Sequence, residues 1–158
     1  MTGRGVYARS KADAEAAAPA AIIARPFNLT GPGQGAQYAP ADWARQSLGE
    51  GTIRTGNLDV ERDYLDVRDA AEGLVVLARE GQPGQAYNLC SGQAVPMRTI
   101  AETLAPERPL QIDPSRKRPE VMRLVGSNAK VRALGWAPQI PLRRSLEDLK
   151  ASLQVARR

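Results

Sequence analysis

The order of segments along this chain predicts an α/β fold. Short apolar runs, typical of strands, alternate with longer segments whose apolar residues recur at helical spacing. The 158 residues, 42% of them apolar and 25% charged, can form a compact domain with its own hydrophobic core. The alternation begins with a helix, so we expect that the strand preceding this helix is missing from the sequence.

The first third of the chain predicts a helix, a strand, a turn and a second helix. Residues 7–18 are strong helix formers that end at Pro19. The continuous apolar run 20–24 predicts a strand buried on both faces. Residues 30–35 are rich in glycine and predict a turn, and a helix is expected at 41–48.

The middle of the chain predicts strands at 52–55 and 63–65, followed by a helix that runs to residue 80. Asp66 is the expected N-cap of this helix, and Asp69 is expected to reach back from the third helical position. The apolar face of the helix is expected to contain Ala70, Leu74, Val75, Leu77 and Ala78.

The last part predicts a strand at 86–90 and three further helices. These helices are expected at 96–104, at 128–134 with Gly135 closing it, and at 142–155. A loop rich in proline and charge is expected at 113–120. The final helix places four leucines on one stripe, namely Leu142, Leu146, Leu149 and Leu153.

The composition excludes several kinds of chemistry. The sequence has no histidine and one cysteine, Cys90, so neither Ser-His-Asp nor Cys-His catalysis nor a zinc finger is available. Proton transfer must then fall to Tyr, Lys, Asp, Glu or Cys. No run of about 18 apolar residues and no signal-peptide core is found, so we expect a cytoplasmic protein without contact to membranes.

The charge pattern favours binding of anions. The formal net charge is +5, and most of the cations are arginines, which bind phosphate and carboxylate groups through two hydrogen bonds at once. The arginines are interleaved with Asp and Glu and form no long basic run. A nucleic-acid-binding domain is therefore a disfavoured alternative.

Tyr7 and Lys11 are four residues apart and share one face of the first predicted helix. A lysine ammonium beside a phenol lowers the phenol pKa from about 10, so such a tyrosine can exchange a proton near neutral pH. By itself the spacing more often marks a surface contact than a catalytic pair.

Several motifs in order along the chain strengthen the catalytic interpretation. They are YARSK at 7–11, RPFNLTGPGQ at 25–34, GNLD at 56–59, RDYLDVRD at 62–69, YNLCSG at 87–92, RPEV at 118–121 and LGWAP at 134–138. This series resembles the extended short-chain dehydrogenases/reductases of the NAD-dependent epimerase/dehydratase family. Within that family it is most similar to the GDP-4-keto-6-deoxymannose reductase and GDP-mannose 4,6-dehydratase branches.

The resemblance implies the C-terminal part of a Rossmann-type NAD(P)-binding fold plus a small substrate-binding lobe. Residues 1–55 would be the trailing part of the Rossmann-like domain, and residues 56–158 mostly the nucleotide-sugar lobe. The family's glycine-rich turn for the cofactor pyrophosphate is absent, so we expect a fragment that is inactive alone. A homodimer is a further possibility.

The resemblance also implies roles for six residues. Tyr7 would be the catalytic acid/base, and Lys11 would assist it and bind the nicotinamide ribose of NADP or NAD. Pro26 would lie near the nicotinamide through its backbone, and Asn28 would contact the nucleotide sugar, with a GDP-linked sugar favoured. Arg62 and Arg118 would bind the diphosphate. The alternative is a non-catalytic module that binds a nucleotide-diphosphate sugar.

Two other groups of residues are given structural roles. In the acidic trio Asp63, Asp66 and Asp69, helix capping explains Asp66 and Asp69 better than a metal site does, and no metal is expected. Cys90 lies in the apolar strand predicted at 86–90 and is expected in the core.

Overall fold

The computed structural model describes residues 5–117 and 121–155, and its mixture of helices and mostly parallel strands confirms the predicted α/β class. The helices are α1 (Val6–Ala17), α2 (Ala39–Ser47), α3 (Val67–Glu80), α4 (Met97–Leu104), α5 (Ala129–Arg132) and α6 (Leu142–Val155), with a 3-10 turn at Pro114–Arg116. The strands are β1 (Ile23–Pro26), β2 (Asn28–Thr30), β3 (Ile53–Thr55), β4 (Glu61–Arg62), β5 (Tyr64–Asp66), β6 (Ala86–Leu89), β7 (Val95–Pro96), β8 (Leu110–Ile112) and β9 (Arg123–Leu124). In the described ranges, no helix has the length and apolar character needed to cross a membrane.

Parallel pairing of strands places the carboxyl ends of β1 and β6 next to the amino ends of β2 and β5. β1 pairs with β6. A single residue, Phe27, separates β1 from β2, and β2 pairs with β5 so that Asn28 lies opposite Tyr64. β3 pairs in parallel with β8. β4 lies between antiparallel β7 and parallel β9.

Two hydrophobic clusters hold these elements together. The first is built on α2, α4 and α6 and contains Trp43, Ile53, Ile100 and Leu146. The second joins α3 and α5 to the β1–β6 pair, with Leu89 at full burial. Each cluster draws residues from both sides of residue 55, so the assignment of 1–55 and 56–158 to separate domains stays a prediction.

The buried face of α3 differs from the predicted one. Ala70 and Leu77 are buried as expected, but Leu74 and Val75 are 50% and 44% exposed, and Ala78 is also exposed. The helix instead contacts the core through Gly73, where an added Cβ would lie 2.7 Å from the Leu89 side chain. Because Gly73 has no side chain, β6 and Trp136 can approach this side of the helix.

The two ends of the predicted capping box behave differently. Asp66 is the N-cap of α3, as predicted, and its carboxylate accepts a 2.8 Å hydrogen bond from the Arg68 amide. The prediction for Asp69 is wrong, because its carboxylate accepts hydrogen bonds from the amides of Gln139 and Ile140. Asp69 thus fastens the segment before α6 to the first turn of α3.

The first strand was also placed incorrectly by its apolar pattern. It spans Ile23–Pro26 rather than 20–24, because the chain after Pro19 first turns, with the Ala21 amide donating to the Ala18 carbonyl. Its residues are half-buried or exposed rather than buried on both faces, since within the described ranges β1 pairs with β6 alone. Strands β2, β4, β7, β8 and β9 were missed: each has two or three residues, too few for a pattern of its own, although the equally short β3 and β5 were predicted.

Candidate functional site

A cleft of about 600 Å³ lies where α1 faces the carboxyl end of β1. Tyr7, Pro26 and Asn28 line it, together with the turn at 31–35 and Tyr64. We call it the tyrosine cleft. It brings together three of the residues that the sequence singled out.

A second cavity of about 590 Å³, the arginine cavity, adjoins the tyrosine cleft. The two share Asn28, Ala39 and Tyr64, so they adjoin, and together we call them the groove. The arginine cavity is also lined by Asp42, Trp43, Arg62, Met97 and Arg116. A groove with a phenol at one end and guanidinium groups at the other can hold an elongated, phosphate-bearing ligand.

Helix α1 presents the Tyr7–Lys11 pair. The Lys11 Nζ lies 5.6 Å from the centroid of the Tyr7 ring, which confirms that the two side chains are neighbours. Tyr7 is 76% exposed, and of the described residues of α1 none is buried. Lys11 is next to Tyr7 and does not itself line the cleft.

An ion pair connects α1 to β1. The Arg25 Nε donates to the Glu15 Oε1 at 2.8 Å, and a second contact joins Arg25 Nη2 to Glu15 Oε2. This hydrogen bond from Arg25 lowers the pKa of Glu15 below its usual value. The pair fixes the end of α1 that is remote from Tyr7.

Asn28 is positioned by a neighbouring strand. Its Nδ2 donates a 3.0 Å hydrogen bond to the carbonyl of Asp63. The Asp63 carboxylate is fully buried and accepts hydrogen bonds from the Ser91 amide at 2.8 Å, the Ser91 hydroxyl at 2.6 Å, the Gly92 amide at 2.9 Å and the Gly126 amide at 3.2 Å. Asp63 therefore joins three chain segments directly behind the groove.

The turn after β2 is built as predicted and closes one side of the tyrosine cleft. The Gln34 Nε2 donates to the Leu29 carbonyl at 2.8 Å, and the Thr30 hydroxyl donates to the Gln34 Oε1 at 3.1 Å. Gly31 has φ 138°, and an added Cβ there would lie 3.1 Å from Val67. This conformation and this close approach both favour glycine.

Arg62 is buried in the wall of the arginine cavity, with 9% of its surface exposed. Its Nη1 donates to the carbonyls of Glu61 and Val121, each at 2.8 Å. These bonds hold the guanidinium in one place, as a preorganised anion site requires. Arg118, the other predicted diphosphate ligand, lies outside the described residues.

Sequence reasoning missed two charged residues of the arginine cavity. The Arg116 Nη1 donates to the Asp42 Oδ2 at 2.5 Å, and the Gln46 Nε2 donates to the same oxygen at 3.0 Å. The cluster Arg116-Lys117-Arg118 was a visible signal, but only Arg118 matched a family motif. Asp42 gave no such signal, because 74 residues separate it from Arg116.

The acidic trio is dispersed among separate hydrogen-bond networks. Each carboxylate binds backbone amides of a different segment, as described for Asp63 and Asp69 and for the cap Asp66. Over residues 5–117 and 121–155, no group of three or more Cys, Asp or Glu could hold a metal ion. Cys90 is fully buried, as predicted, and burial together with the charge of Asp63 raises the pKa of its thiol to about 11.

This chain resembles known proteins in both sequence and structure. Residues 4–90 match the NAD dependent epimerase/dehydratase family. Over 140 residues, 81% of this chain, the sequence is 36% identical to GDP-6-deoxy-D-mannose reductase from Pseudomonas aeruginosa, of which the match covers 46%. A structure of RMD from Pseudomonas aeruginosa complexed with NADPH superimposes with a TM-score of 0.90 at 34% identity, covering 97% of this chain and 57% of that one.

A more distant structure shares the fold. The dTDP-glucose 4,6-dehydratase from Bacillus anthracis in complex with NAD gives a TM-score of 0.89 at 18% identity, covering 98% of this chain and 54% of that one. This chain thus spans about half the length of the relatives it matches.

Proposed function

This chain belongs to the NAD dependent epimerase/dehydratase family, and from that premise we propose that it supplies the nucleotide-sugar site and the proton-transfer residues of an NAD(P)-dependent oxidoreductase. The proposed substrate is a GDP-linked 4-keto-6-deoxyhexose. The observation that carries the proposal is the pair of adjoining cavities that share Asn28, one lined by Tyr7 and the other by Arg62. It connects a proton donor to an anion site, as reduction of a sugar attached to a diphosphate requires.

The proposed reaction reduces the C4 ketone of the sugar to an alcohol. The nicotinamide cofactor, when bound, supplies the hydride that reaches the carbonyl carbon. Tyr7 donates its phenol proton to the ketone oxygen, which becomes the hydroxyl. The Lys11 ammonium beside the ring stabilises the phenolate that is left.

The described residues fit the nicotinamide-ribose end of such a cofactor. The Tyr7 phenol and the Lys11 ammonium project from one face of α1 and can both donate hydrogen bonds to ribose hydroxyls. The backbone at Pro26 lies in the same cleft as Tyr7. Both NADP and NAD are compatible with this arrangement.

The arginine cavity is proposed to hold the nucleotide diphosphate. Arg62 is buried in its wall, and a guanidinium fixed by backbone carbonyls can bind a phosphate with little further ordering. We assign Arg118 to the same task on the strength of the RPEV motif. Asn28, which lines both parts of the groove, is proposed to contact the sugar between them.

One observation favours the alternative of a non-catalytic binding module. Tyr7 is 76% exposed, whereas Arg62 is 9% exposed. General acid chemistry gains from a site that excludes water, whereas the Tyr7 ring is largely open to solvent. Under this alternative the chain binds the nucleotide diphosphate and Tyr7 plays no part.

Calorimetric titration of the folded chain with GDP tests the binding site. Arg62→Lys keeps the positive charge but removes the planar guanidinium, which can donate two hydrogen bonds to one phosphate. We therefore expect the dissociation constant of GDP to rise about tenfold. Arg143→Lys, an exposed change on α6, is the matched control and is expected to leave binding unchanged. A folded chain that does not bind GDP refutes the proposal.

Catalysis is tested by NADPH oxidation in the presence of the keto sugar nucleotide. The chain is combined with the N-terminal half of the Pseudomonas aeruginosa reductase named above. We expect oxidation that Tyr7→Phe abolishes while GDP binding stays unchanged. A folded complex that binds GDP without oxidising NADPH supports the binding module instead.

A further inference from the structure

The arginine cavity carries an acidic and a basic group side by side, Asp42 and Arg116. Both line the same cavity as Arg62. Gly56 also lines this cavity, and a Cβ added to it would lie 2.5 Å from the Arg116 carbonyl. A ligand whose phosphates are bound by Arg62 can therefore place its remaining portion against the Asp42–Arg116 pair.

Asp42 retains acceptor capacity toward the cavity. Its hydrogen bonds from Arg116 and Gln46 both fall on Oδ2, and Oδ1 receives none from the described part of the chain. A carboxylate offers about four acceptor positions, so further donors can be bound. The side chain is 25% exposed and lines the cavity wall, which makes it accessible to a ligand.

The surroundings of the pair suit a planar heterocycle. Trp43 and Met97 contribute apolar surface to the same cavity, and both are buried in the core behind it. Apolar side chains beside fixed polar groups can hold a flat ring system and read its edge.

Resting on the proposed function, we infer that Asp42 selects a guanine base by accepting hydrogen bonds from its N1–H and 2-amino groups, with Arg116 holding the carboxylate in place. Among the common bases, guanine alone presents two adjacent donors on one edge. Uracil and thymine present a single N–H between two carbonyl oxygens, which a carboxylate repels. Adenine presents its amino group beside an acceptor nitrogen. Asp42 is thus a specificity-determining residue.

The test compares diphosphates that differ only in the purine edge. We measure dissociation constants on the wild type and on Asp42→Asn for three ligands: GDP, inosine diphosphate and xanthosine diphosphate. Inosine diphosphate lacks the 2-amino group of GDP, and xanthosine diphosphate has a carbonyl in its place. For the wild type we expect GDP to bind about tenfold more tightly than inosine diphosphate, the effect of one charge-assisted hydrogen bond. Asp13→Asn, an exposed change on α1, is the matched control.

In Asp42→Asn, we expect the advantage of GDP over inosine diphosphate to disappear and xanthosine diphosphate to bind more tightly than GDP. The reason is that the asparagine amide donates to the 2-carbonyl of xanthine. A misfolded variant cannot produce such a gain, which keeps the test decisive.

Two other results overturn the inference in distinguishable ways. If GDP, inosine diphosphate and UDP bind the wild type equally, Asp42 does not read the base, and the proposed nucleotide site stands. The same conclusion follows if Asp42→Asn leaves the ratio of GDP to inosine diphosphate unchanged. If the folded wild type binds no nucleoside diphosphate, the proposed function fails and this inference fails with it.

Discussion

Replacing Asp63→Ala removes the residue that connects three segments behind the groove. The carboxylate is fully buried and accepts from three backbone amides and one hydroxyl. Each amide left without a partner costs about 1–3 kcal/mol, although water entering the vacated space satisfies part of the loss. We therefore expect the free energy of unfolding to fall by about 3–5 kcal/mol, a large share of the roughly 5–15 kcal/mol of a typical domain.

Ser91→Ala is the matched comparison. It removes the hydroxyl that donates to Asp63 at 2.6 Å and accepts from the Gln93 amide at 3.1 Å, and it leaves all three amide bonds to Asp63 in place. The expected loss is about 1 kcal/mol. Urea unfolding followed by tryptophan fluorescence reports both variants, because Trp43 and Trp136 are buried in different clusters.

The interpretation of Asp63 depends on the difference between the two variants. If Asp63→Ala costs no more than Ser91→Ala, the three amide bonds do not stabilise the fold as argued. Asp63→Ala keeps the main-chain carbonyl that accepts from the Asn28 amide, so GDP affinity is expected to stay unchanged where the variant remains folded. A weaker GDP affinity in a folded variant would show that the carboxylate also fixes the position of this carbonyl.

Two further predictions concern reactivity and pH. Cys90 has a thiol pKa of about 11 and no exposed surface. Ellman's reagent at pH 8 should therefore label Cys90 only as fast as the protein unfolds locally. Labelling at the rate of a free thiol would refute its burial. The hydrogen bond from Arg25 lowers the pKa of Glu15 in the folded protein. The pair therefore contributes its full stabilisation above the pKa of Glu15 in the unfolded chain, about 4.3. This stabilisation is lost as the pH falls through the lower pKa of the folded protein. In an NMR titration from pH 7 to pH 2, the α1 amides should therefore shift as the helix detaches, and Glu15→Gln should remove that step; identical titrations of both proteins would contradict this role.

The sequence was most informative where a pattern repeats over many residues. Helix α6 was predicted at its observed bounds, because its leucines recur at helical spacing over 14 residues. Helix α3 was predicted with its N-cap, but not with its buried face. Leu74 and Val75 are more apolar than Gly73, yet the core contacts the helix at Gly73, where Leu89 needs the space. Apolar character alone cannot show on which side a neighbouring strand will pack.

The candidate site was predictable where its residues belong to local motifs. Tyr7, Pro26 and Asn28 were singled out from short segments, and the fold brings them to one cleft. Asp42 was missed because its significance depends on Arg116, which reaches it only through the packing of α2 against the segment after β8. Asp69 was misassigned for the same reason, since its partners are 70 and 71 residues further along.

By itself, the sequence determined the α/β class, the helices, the Tyr7–Lys11 pair and the family. Each of these depends on spacing within one segment, where the geometry of a helix or a turn fixes which residues are neighbours. Tertiary structure alone decided the pairing of the short strands, the joining of two cavities at Asn28, and the partners of the buried carboxylates. Those depend on contacts between distant segments, which close only when the whole core packs and which leave no periodic signal in the chain.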